Sequence, residues 1–520
     1  MSSADSDAVR KWEQANSRVE NAYQAYLARL ALEPSMRNHP TDANEATKGI
    51  FLNLPNEILA YIFHIAVDGT TQGHHALGRS LRLRYKCLYS LTGVCSTWRR
   101  AGLAHKILWS LIPWFRGLLD YQKLDAMKHS IERAGELGLH LAGRFSDSDT
   151  LILPALAECA PRLCTINVCS RLLRVIRKVC EILLEHSTPG NITEFSLCYI
   201  DNPNSFSETL DPMFPDHSSQ YSIFQRLADS VRILRIGGKS IHWDMPFTAL
   251  SRVRIQDMML GHTSEILKFL TAVASSPNLR QIEIVSVTFY ENPSDDRTAQ
   301  PAIAFPKLES LYLKDLYQNN LQVLLSLVAP GSHRVVVHYT TCAHSIVDTE
   351  YQNIYIGADM LAEQPSVEVL ILSGKDHLMD NLSEVRDLLY KFPALKTLYL
   401  HDQVIDDAIL ETFTREEYRG AKFPGIRTLY LTECFIQDTI DQSGFKAMTT
   451  SHGIQELGFS GSIALPPDYE QAFRLSGTKC DEEMYPFRDW LRATVPKLTL
   501  LKGPDDLDEF DVGTSTWRLW

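Results

Sequence analysis

Residues 237–240, Gly-Gly-Lys-Ser, are the first place where the sequence could support chemistry. A Gly-Lys-Ser run after a strand is the second half of a phosphate-binding loop. The first glycine of such a loop would stand at position 233, which is Ile233. The residues that follow, Ile-His-Trp-Asp-Met-Pro, form a poor helix, although a phosphate-binding loop opens one. The sequence therefore argues against an NTPase.

Residues 458–462, Gly-Phe-Ser-Gly-Ser, nearly spell the nucleophile elbow of a serine hydrolase. Ser462 stands where the second glycine is needed, and the run ends a predicted strand instead of opening a helix. A hydrolase is therefore equally disfavoured.

Cys159, Cys164, Cys169 and Cys180 form the densest group of potential metal ligands. They contain no Cys-x-x-Cys pair, and Cys164 lies inside a predicted strand, so their spacing does not suit a zinc site. We interpret them as small buried apolar residues. We assign no catalytic residue, no metal and no cofactor to the chain.

Charge and composition limit the partners and the compartment. The chain has 520 residues, with 51 Lys+Arg against 63 Asp+Glu and a net charge of −12, which disfavours a nucleic-acid-binding surface. No basic and apolar leader opens the sequence, and no run reaches about 18 apolar residues, so we expect neither secretion nor a membrane partner. The ten cysteines then indicate reduced thiols in a cytoplasmic or nuclear protein.

An N-terminal amphipathic helix and a linker are predicted for residues 1–49. Residues 8–33 contain no glycine or proline, and apolar side chains recur at the spacing of a heptad seam, with Asn16 as its only polar member. Such a seam needs a partner. Two interpretations stay open: a homodimer through this helix, or a helix docked on its own chain.

Residues 50–115 predict a module of three short helical segments. Pro55 suits the first position of a helix whose apolar residues recur on one face. A second helix is predicted over residues 86–103, and a third apolar patch follows and ends at Pro113. Three helices this short bury little surface, so we expect leftover apolar area that binds a partner.

This module resembles the F-box, the adaptor module that binds the Skp1 subunit of SCF-type (Skp1-cullin-F-box) ubiquitin ligases. The matching residues are Leu-Pro-Asn-Glu-Ile-Leu at 54–59, Ile-Phe at 62–63, Leu91, Val-Cys at 94–95, Trp-Arg at 98–99, Ala101, Leu-Trp at 108–109 and Ile112. They occur in the order of the family. One departure is the connection over residues 67–85, which is longer than is usual in the family.

The resemblance implies which residues contact a Skp1-like adaptor. In the family, the Leu-Pro pair and the apolar face behind it make this contact. The corresponding residues are Leu54, Pro55, Ile58, Leu59 and Ile62, with Val94, Trp98 and Trp109 in support. Through that adaptor the chain would join a cullin-RING ligase, whose RING partner and conjugating enzyme carry out ubiquitin transfer.

A repeat array is predicted over residues 151–503, after a helical connector at residues 116–150. Its unit is Pro-x-Leu-x-x-Leu-x-Leu, a turn signal followed by a short strand. Copies start at Pro161, Pro277, Pro306, Pro365, Pro393 and Pro424, and looser copies start at Ile192, Val231, Leu250, Ile454 and Leu498. Regular copies lie 28–31 residues apart, with apolar helical patterns between them.

One strand and one helix per unit resemble a leucine-rich repeat with a degenerate signature. The resemblance implies an α/β fold, in which an N-terminal helix and a three-helix F-box precede a solenoid with a parallel concave sheet. The whole arrangement resembles the large F-box families of mushroom-forming fungi.

Residues 504–520 are predicted to form an acidic C-terminal tail. Its carboxylates repel one another, which favours a mobile or loosely docked segment. Trp517 and Trp520 favour the alternative that the tail caps the open edge of the last repeat.

Three tyrosines and two basic residues predict a target-binding surface. Tyr312, Tyr399 and Tyr430 occupy a position that should point to the concave face, and the last two rings should lie about 5 Å apart. Lys396 and Arg427 hold matching positions in adjacent units and predict a short basic row. A protein target with acidic groups beside an apolar side chain would suit both rows. The alternative is that aromatic side chains merely cover the sheet.

Together these features predict a non-catalytic adaptor, in which the F-box binds a Skp1-like protein and the repeats bind an unknown protein substrate. The alternative is a non-degradative scaffold built from the same modules.

Overall fold

The computed structural model divides the chain into two compact units. One comprises Met1–Ile65 and Tyr89–His105, and the other Ala66–Leu88 and Lys106–Trp520. The N-terminal helix predicted at residues 8–33, and the dimer through it, lie outside the described residues. The structure describes residues 55–69, 76–114, 120–147, 149–188, 190–200, 212–215, 218–290, 302–348, 353–355, 361–373, 382–415, 423–437, 442–464, 472–474, 485–500 and 517–519.

Three helices carry most of the described residues of the predicted F-box: α1 (Asn56–Gly69), α2 (Leu77–Gly93) and α3 (Ser96–Ala104). Leu108, Trp109 and Ile112 lie beyond them, in a 3-10 helix and in the first strand. Pro55 precedes α1, and the backbone N–H of Leu59 donates to its carbonyl oxygen at 3.1 Å. A proline at a helix start loses nothing, because the N–H that it lacks would have no partner there.

The prediction of one helix over residues 86–103 is wrong. Gly93 ends α2, and Cys95 is extended, with φ −158° and ψ 174°, before α3 begins. A glycine inside a helix costs about 1 kcal/mol relative to alanine, which favours a break at this point. The connection predicted over residues 67–85 is partly helical, because α1 and α2 both extend into it.

The second unit is built on one 16-stranded sheet. Its order is β1 to β9, then β12, β13, β15, β16 and β17, with β14 beside β15 and β18 beside β16. Its pairings are parallel except that of β17 with β16. The strands are β1 (Leu111–Trp114), β2 (Leu139–Phe145), β3 (Leu163–Ser170), β4 (Glu194–Tyr199), β5 (Ile233–Gly237), β6 (Arg252–His262), β7 (Gln281–Tyr290), β8 (Ser310–Lys314), β9 (Arg334–Tyr339), β12 (Val367–Ser373), β13 (Thr397–His401), β14 (Val404–Ile405), β15 (Thr428–Gln437), β16 (Glu456–Ala464), β17 (Ala472–Arg474) and β18 (Lys497–Leu500). A separate antiparallel pair is formed by β10 (Ser345–Val347) and β11 (Asn353–Tyr355).

Helices alternate with these strands and pack on one main core. They are α4 (Asp120–Ala134), α5 (Leu153–Cys159), α6 (Leu173–His186), α7 (Ser219–Ala228), α8 (Thr263–Ala274), α9 (Gln318–Leu327), α10 (Leu382–Tyr390), α11 (Asp407–Phe413), α12 (Ser443–His452) and α13 (Tyr485–Thr494). The predicted fold class, an α/β leucine-rich-repeat-like solenoid with a parallel sheet, is confirmed.

Buried apolar residues follow the hydrogen-bonded register from strand to strand. Each predicted repeat start is followed within a few residues by a strand or lies in one. One continuous row of the core contains Ile284, Leu313, Val337, Leu370, Leu398 and Leu429. The repeats therefore share a single apolar core made by stacking.

A left-handed backbone position recurs in the repeats. Asp257, Ser286 and Asp315, which lie 29 residues apart, have φ of 51°, 49° and 54°, and Asp402 and Glu433 have φ of 54° and 55°. Residues other than glycine rarely adopt this conformation. At these five positions the left-handed residue follows the core part of β6, β7, β8, β13 or β15, and the varied residue types there leave no sequence signature.

The solenoid begins before residue 151, the boundary predicted from the sequence. β1 lies in the range assigned to the F-box, and β2 lies in the range assigned to the helical connector at 116–150. Pro113, predicted to end a helical patch, lies in β1 at the edge of the sheet, where a strand tolerates proline. Neither strand follows the Pro-x-Leu pattern, so the repeat search missed both.

The end of the predicted tail packs on the first strands of the sheet. Trp517 and Leu519 are buried against Ala142, Cys169 and Cys198 of β2, β3 and β4. For residues 517–519, both loose docking and a cap on the last repeat are therefore wrong. Long-range packing of this kind has no local sequence signal.

We predict that Gly143→Ala destabilises the start of the sheet. A Cβ at Gly143 would lie 2.4 Å from Trp114 Cβ and 2.6 Å from the Trp114 backbone oxygen, so β1 must shift. We expect the free energy of unfolding, measured by urea denaturation, to fall by about 1–3 kcal/mol. The control is Gly425→Ala, whose Cβ meets its nearest atom at 3.7 Å. An equal effect of both substitutions would contradict the close packing of β1 on β2.

Candidate protein-interaction surfaces

Helix α1 has two apolar faces. Leu59 and Phe63, four residues apart, are fully buried. Ile58 and Tyr61 are 48% and 49% exposed, and Ile62, four residues after Ile58, is half-buried. A helix on the surface of a globular domain normally has one apolar stripe, which faces the core. The second face of α1 is therefore available to another molecule.

The remaining predicted Skp1 contacts of the first unit differ in exposure. Pro55 is exposed and Val94 is 61% exposed. Trp98 is half-buried, with its ring centroid 5.2 Å from that of Phe63. Leu54 lies outside the described residues.

The first unit exposes an unusual share of apolar side chains for its size. Ten large apolar side chains are exposed in the described part of the chain, and half of them belong to this unit. They are Ile58, Tyr61, Tyr89, Val94 and Leu103. Single exposed apolar residues are ordinary, but a concentration of them is typical of a binding surface.

Trp109, the last predicted Skp1 contact, belongs to the second unit and is fully buried. It ends a 3-10 helix (Lys106–Trp109), and Arg133 Cζ lies 4.1 Å from the centroid of its ring. A buried ring in a cation–π contact offers no area to a partner. Trp109 is therefore a core residue of the second unit and not a partner contact.

Tyr399 and Tyr430 form the predicted aromatic pair. They are register partners on the neighbouring strands β13 and β15. Their ring centroids are 4.5 Å apart and the ring planes differ by 13°. The prediction that the rings lie side by side, about one strand spacing apart, is confirmed.

The aromatic pair is packed into the sheet surface. Tyr399 is 2% exposed and belongs with Ile371 to a small cluster outside the main core. Because alternate residues of a strand point to opposite faces, this cluster marks the sheet face away from the repeat helices, here named the open face. Tyr430 is half-buried, so it presents more of its surface than Tyr399 does.

Glu456 receives two hydrogen bonds at the edge of this pair. The Tyr430 hydroxyl donates to Glu456 Oε1 at 2.7 Å, and Lys497 Nζ lies 2.6 Å from the same oxygen. Burial opposes ionisation of this carboxyl, but the two hydrogen bonds outweigh it and lower the pKa of Glu456. Tyr430 is thereby held in place by a charged pair.

Tyr312 stands outside the row of Tyr399. Its register partner on β9 is Val336, whereas the row of Tyr399 passes through His338, two residues further along β9. β9 lies in the irregular stretch near residue 335, where sequence spacing does not give the pairing. The Tyr312 hydroxyl lies 3.1 Å from His338 Nδ1, so the two rows are linked there.

His338 is a buried polar residue that the sequence analysis missed. It is 2% exposed, and its Nε2 makes a hydrogen bond with Ser373 Oγ. Burial lowers the pKa of His338 well below its usual value, and nearby Lys314 and His401 lower it further. The ring is therefore neutral at pH 7 and stabilises the open face without adding charge.

Lys396 and Arg427 are neighbours at the starts of β13 and β15. The backbone N–H of Arg427 donates to the Lys396 carbonyl oxygen at 2.8 Å. Lys396 Nζ lies 2.6 Å from Glu368 Oε1, whereas among the described residues no carboxylate pairs with the exposed Arg427. Arg427 is therefore the member of the predicted basic row whose charge is available to a partner.

Ion pairs between successive repeats line the strand starts. Besides Lys396 and Glu368, Arg280 pairs with Glu309 and Lys497 pairs with Glu456, each at 2.6 Å. Exposed pairs of this kind contribute about 0–1 kcal/mol. Their main effect is an alternating charge pattern, which the spacing of whole repeats hid from local sequence analysis.

Two buried cysteines of the described residues are poorly suited to act as nucleophiles. Burial raises the pKa of Cys159 and of Cys434 to about 12, so both thiols stay protonated at neutral pH. Cys159, Cys169 and Cys180 are buried as predicted, whereas Cys164 is half-buried. The described residues contain no group of three or more His, Cys, Asp or Glu side chains arranged to hold a metal ion. Within the same residues, no helix has the length and apolar character needed to cross a membrane.

Comparison with known proteins gives no family. No family model matches the chain, and no curated protein matches it. Thirty-three chains of solved structures match, among them the TLR13 chain of a crystal structure titled as the TLR13-ssRNA13 complex, with 13% identity and a TM-score of 0.32. The match covers 73% of this chain and 51% of that one, so the chain spans about half the length of its structural neighbour. The fold described above rests on the chain's own strand pairing.

We expect Tyr399→Ala to destabilise the solenoid far more than Tyr430→Phe. The buried Tyr399 ring leaves a cavity, and loss of a buried aromatic ring costs about 3–5 kcal/mol. Tyr430→Phe keeps the ring and removes one hydrogen bond, at a cost of about 1 kcal/mol. Urea denaturation of both variants measures the difference. Equal losses would mean that Tyr399 is not packed as described.

We also predict that Glu456 makes stability depend on acid pH. The pKa of Glu456 is lower in the folded state than in the unfolded chain. Its contribution to the free energy of unfolding is therefore fully present above its unfolded-state pKa, and it is lost as the pH falls through its folded-state pKa. The site is partly exposed, so the contribution is at most about 1 kcal/mol. Unfolding free energies of the wild type and Glu456→Gln should therefore differ at neutral pH and converge in acid. Lys497→Met removes one of the two donors to Glu456. In this variant the free energy of unfolding should therefore depend less on acid pH than it does in the wild type.

Proposed function

We propose that this chain is the substrate-recognition adaptor of an SCF-type E3 ubiquitin ligase. The observation that carries the proposal is the second apolar face of α1, with Ile58 and Tyr61 about half exposed beside a fully buried first face. A two-faced helix in so small a unit needs a partner to cover it. The residues of this face belong to the block that resembles the F-box.

In this proposal a Skp1-like adaptor covers the α1 face. Leu54, Pro55, Ile58 and Ile62 contact it, and Leu59 holds the helix in place from the buried side. Val94 and Trp98 stand at the α2–α3 break, where one side chain is exposed and the other packs on the core. Trp109 takes no part in the contact, because its ring is buried in the second unit.

The repeats hold the protein target. Arg427, Lys396 and Tyr430 are the accessible members of the predicted surface, Tyr399 stacks on Tyr430, and Tyr312 lies in the same open-face cluster. A target with an acidic or phosphorylated group near an apolar side chain suits this surface, because arginine binds carboxylates and phosphates in a bidentate manner. The chain itself supplies binding, and the cullin-RING partner with its conjugating enzyme supplies the ubiquitin transfer.

We predict that Ile58→Asp removes binding to a Skp1-like adaptor. The change places a charge in a contact that must exclude water, and loss of such an anchor costs about 2–4 kcal/mol. Pull-down of the adaptor with the purified full chain measures this loss. The control is Val404→Asp, since Val404 is 56% exposed in the second unit. Unchanged capture by Ile58→Asp, or equal loss in the control, would contradict the proposed contact.

A cullin that co-purifies with the wild type and not with Ile58→Asp distinguishes a ligase adaptor from a scaffold. The scaffold alternative predicts no cullin in either preparation.

We further predict that Arg427→Glu reduces target capture more than Arg427→Ala does, by at least about 10-fold, because the reversed charge repels an acidic target. Proximity labelling with and without proteasome inhibition identifies the proteins that depend on this residue. The control is Arg232→Glu, since Arg232 is exposed at the corresponding strand start before β5. Target lists that respond equally to both reversals would show that Arg427 has no special role.

A further inference from the structure

The end of the chain occupies the open face of the first strands. Trp517 is 9% exposed and Leu519 is 3% exposed. They form a cluster with Leu77 and Leu81 of α2, Leu111 of β1 and the open-face residues of β2, β3 and β4. Neither residue belongs to the main core that joins the repeats. The segment therefore packs on the surface of the sheet, as a bound peptide would, and is not part of the main core.

Asn167 of β3 is the centre of this contact. The Trp517 indole N–H donates to Asn167 Oδ1 at 2.7 Å, and Asn167 Nδ2 donates to the carbonyl oxygens of Arg518, at 3.0 Å, and of Leu519. The Leu77 N–H donates to the Trp517 carbonyl oxygen at 2.8 Å. Asn167 is 1% exposed, so its own three hydrogen bonds are largely shielded from water. A buried amide without partners is costly, which makes the site selective for a segment that supplies them.

The surface around Asn167 is shaped for an indole. A Cβ at Gly237 would lie 3.1 Å from a Trp517 ring atom, so the missing side chain makes room for the ring. A cavity of about 420 Å³ extends beside Trp517 and is lined by Arg144, Tyr199 and Asp257 among others. The site therefore has more room than the three described tail residues fill.

We propose that the Asn167 site is a peptide-binding site for Trp-x-Leu segments, which the chain's own tail occupies until a partner protein with such a segment displaces it. In three of the four hydrogen bonds a backbone oxygen of the segment accepts, and in the fourth the Trp517 indole N–H donates to Asn167 Oδ1. This pattern specifies Trp and leaves the middle residue free in type. The inference stands apart from the Skp1 contact and from the tyrosine surface of the later repeats.

A tethered tail sets a threshold for partner binding. A segment of the same chain competes as an intramolecular ligand, at an effective concentration that reaches about 1 mM, so a free peptide at micromolar concentration displaces it poorly. Weakening the tail should open the site. We therefore compare the full-length wild type with the full-length double variant Trp517→Ala/Leu519→Ala.

The probe is a fluorescent peptide with the sequence of residues 512–520, followed by anisotropy. We expect the double variant to bind it at least about 10-fold more tightly than the wild type does. Matched control peptides carry alanine at the positions of Trp517 or Leu519 and should fail to bind. In parallel, alkylation of Cys198, located by mass spectrometry, should be faster in the double variant and slow again when the probe is added.

A folded double variant that binds no probe would overturn the proposal and make the tail a structural strap. If the double variant does not fold, Trp517→Phe decides the matter, since it removes only the indole N–H donor. Probe binding to Trp517→Phe above that of the wild type supports a displaceable ligand. No binding to Trp517→Phe, together with loss of fold in the double variant, would overturn it.

Discussion

The continuous ladder of backbone hydrogen bonds between parallel strands is the constraint on which the second unit depends. Each buried N–H or C=O that lacks a partner costs about 1–3 kcal/mol, so a repeat cannot slip against its neighbours. The register therefore carries through β9, where the sequence pattern fails. The stacking of Tyr399 on Tyr430 and the adjacency of Lys396 and Arg427 are both consequences of this one ladder.

Sequence periodicity predicted what is local and repeated. The Pro-x-Leu pattern and its looser copies located β3 to β8, β12, β13, β15, β16 and β18, because a turn followed by alternating apolar residues is needed wherever a repeat stacks. β1 and β2 lack that turn, so the sequence pattern placed their residues in the F-box and in the connector. Tyr312 was placed in the wrong row because counting residues cannot detect the two-residue offset at β9.

The first module shows a different limit of sequence analysis. The motif identified the apolar residues of α1, but residue type alone cannot say that Leu59 is buried while its neighbour Ile58 is half exposed. Both faces of the helix carry apolar side chains, so only the packing of the folded unit shows which face is buried and which is exposed. For Trp109 the motif predicted a contact with a Skp1-like adaptor, but its ring is buried inside the second unit beside Arg133. The tail contact at Asn167 joins residues 350 positions apart, beyond any local pattern.

The open face carries two surfaces, one around Tyr430 and one around Asn167, which differ in the interactions that they leave to a partner. Around Tyr430, aromatic stacking and a charged pair already satisfy most groups, so the proposed target would gain affinity mainly from Arg427 and from the remaining ring area. Around Asn167, the hydrogen-bonding groups are satisfied by the chain's own end, and a partner can only exchange one set of bonds for another. Exchange of this kind yields little net enthalpy, so occupancy depends on local concentration and on the strength of the tether. If both proposals hold, a target that carries a Trp-x-Leu segment gains avidity by contacting both surfaces, whereas a target without one contacts only the surface around Tyr430.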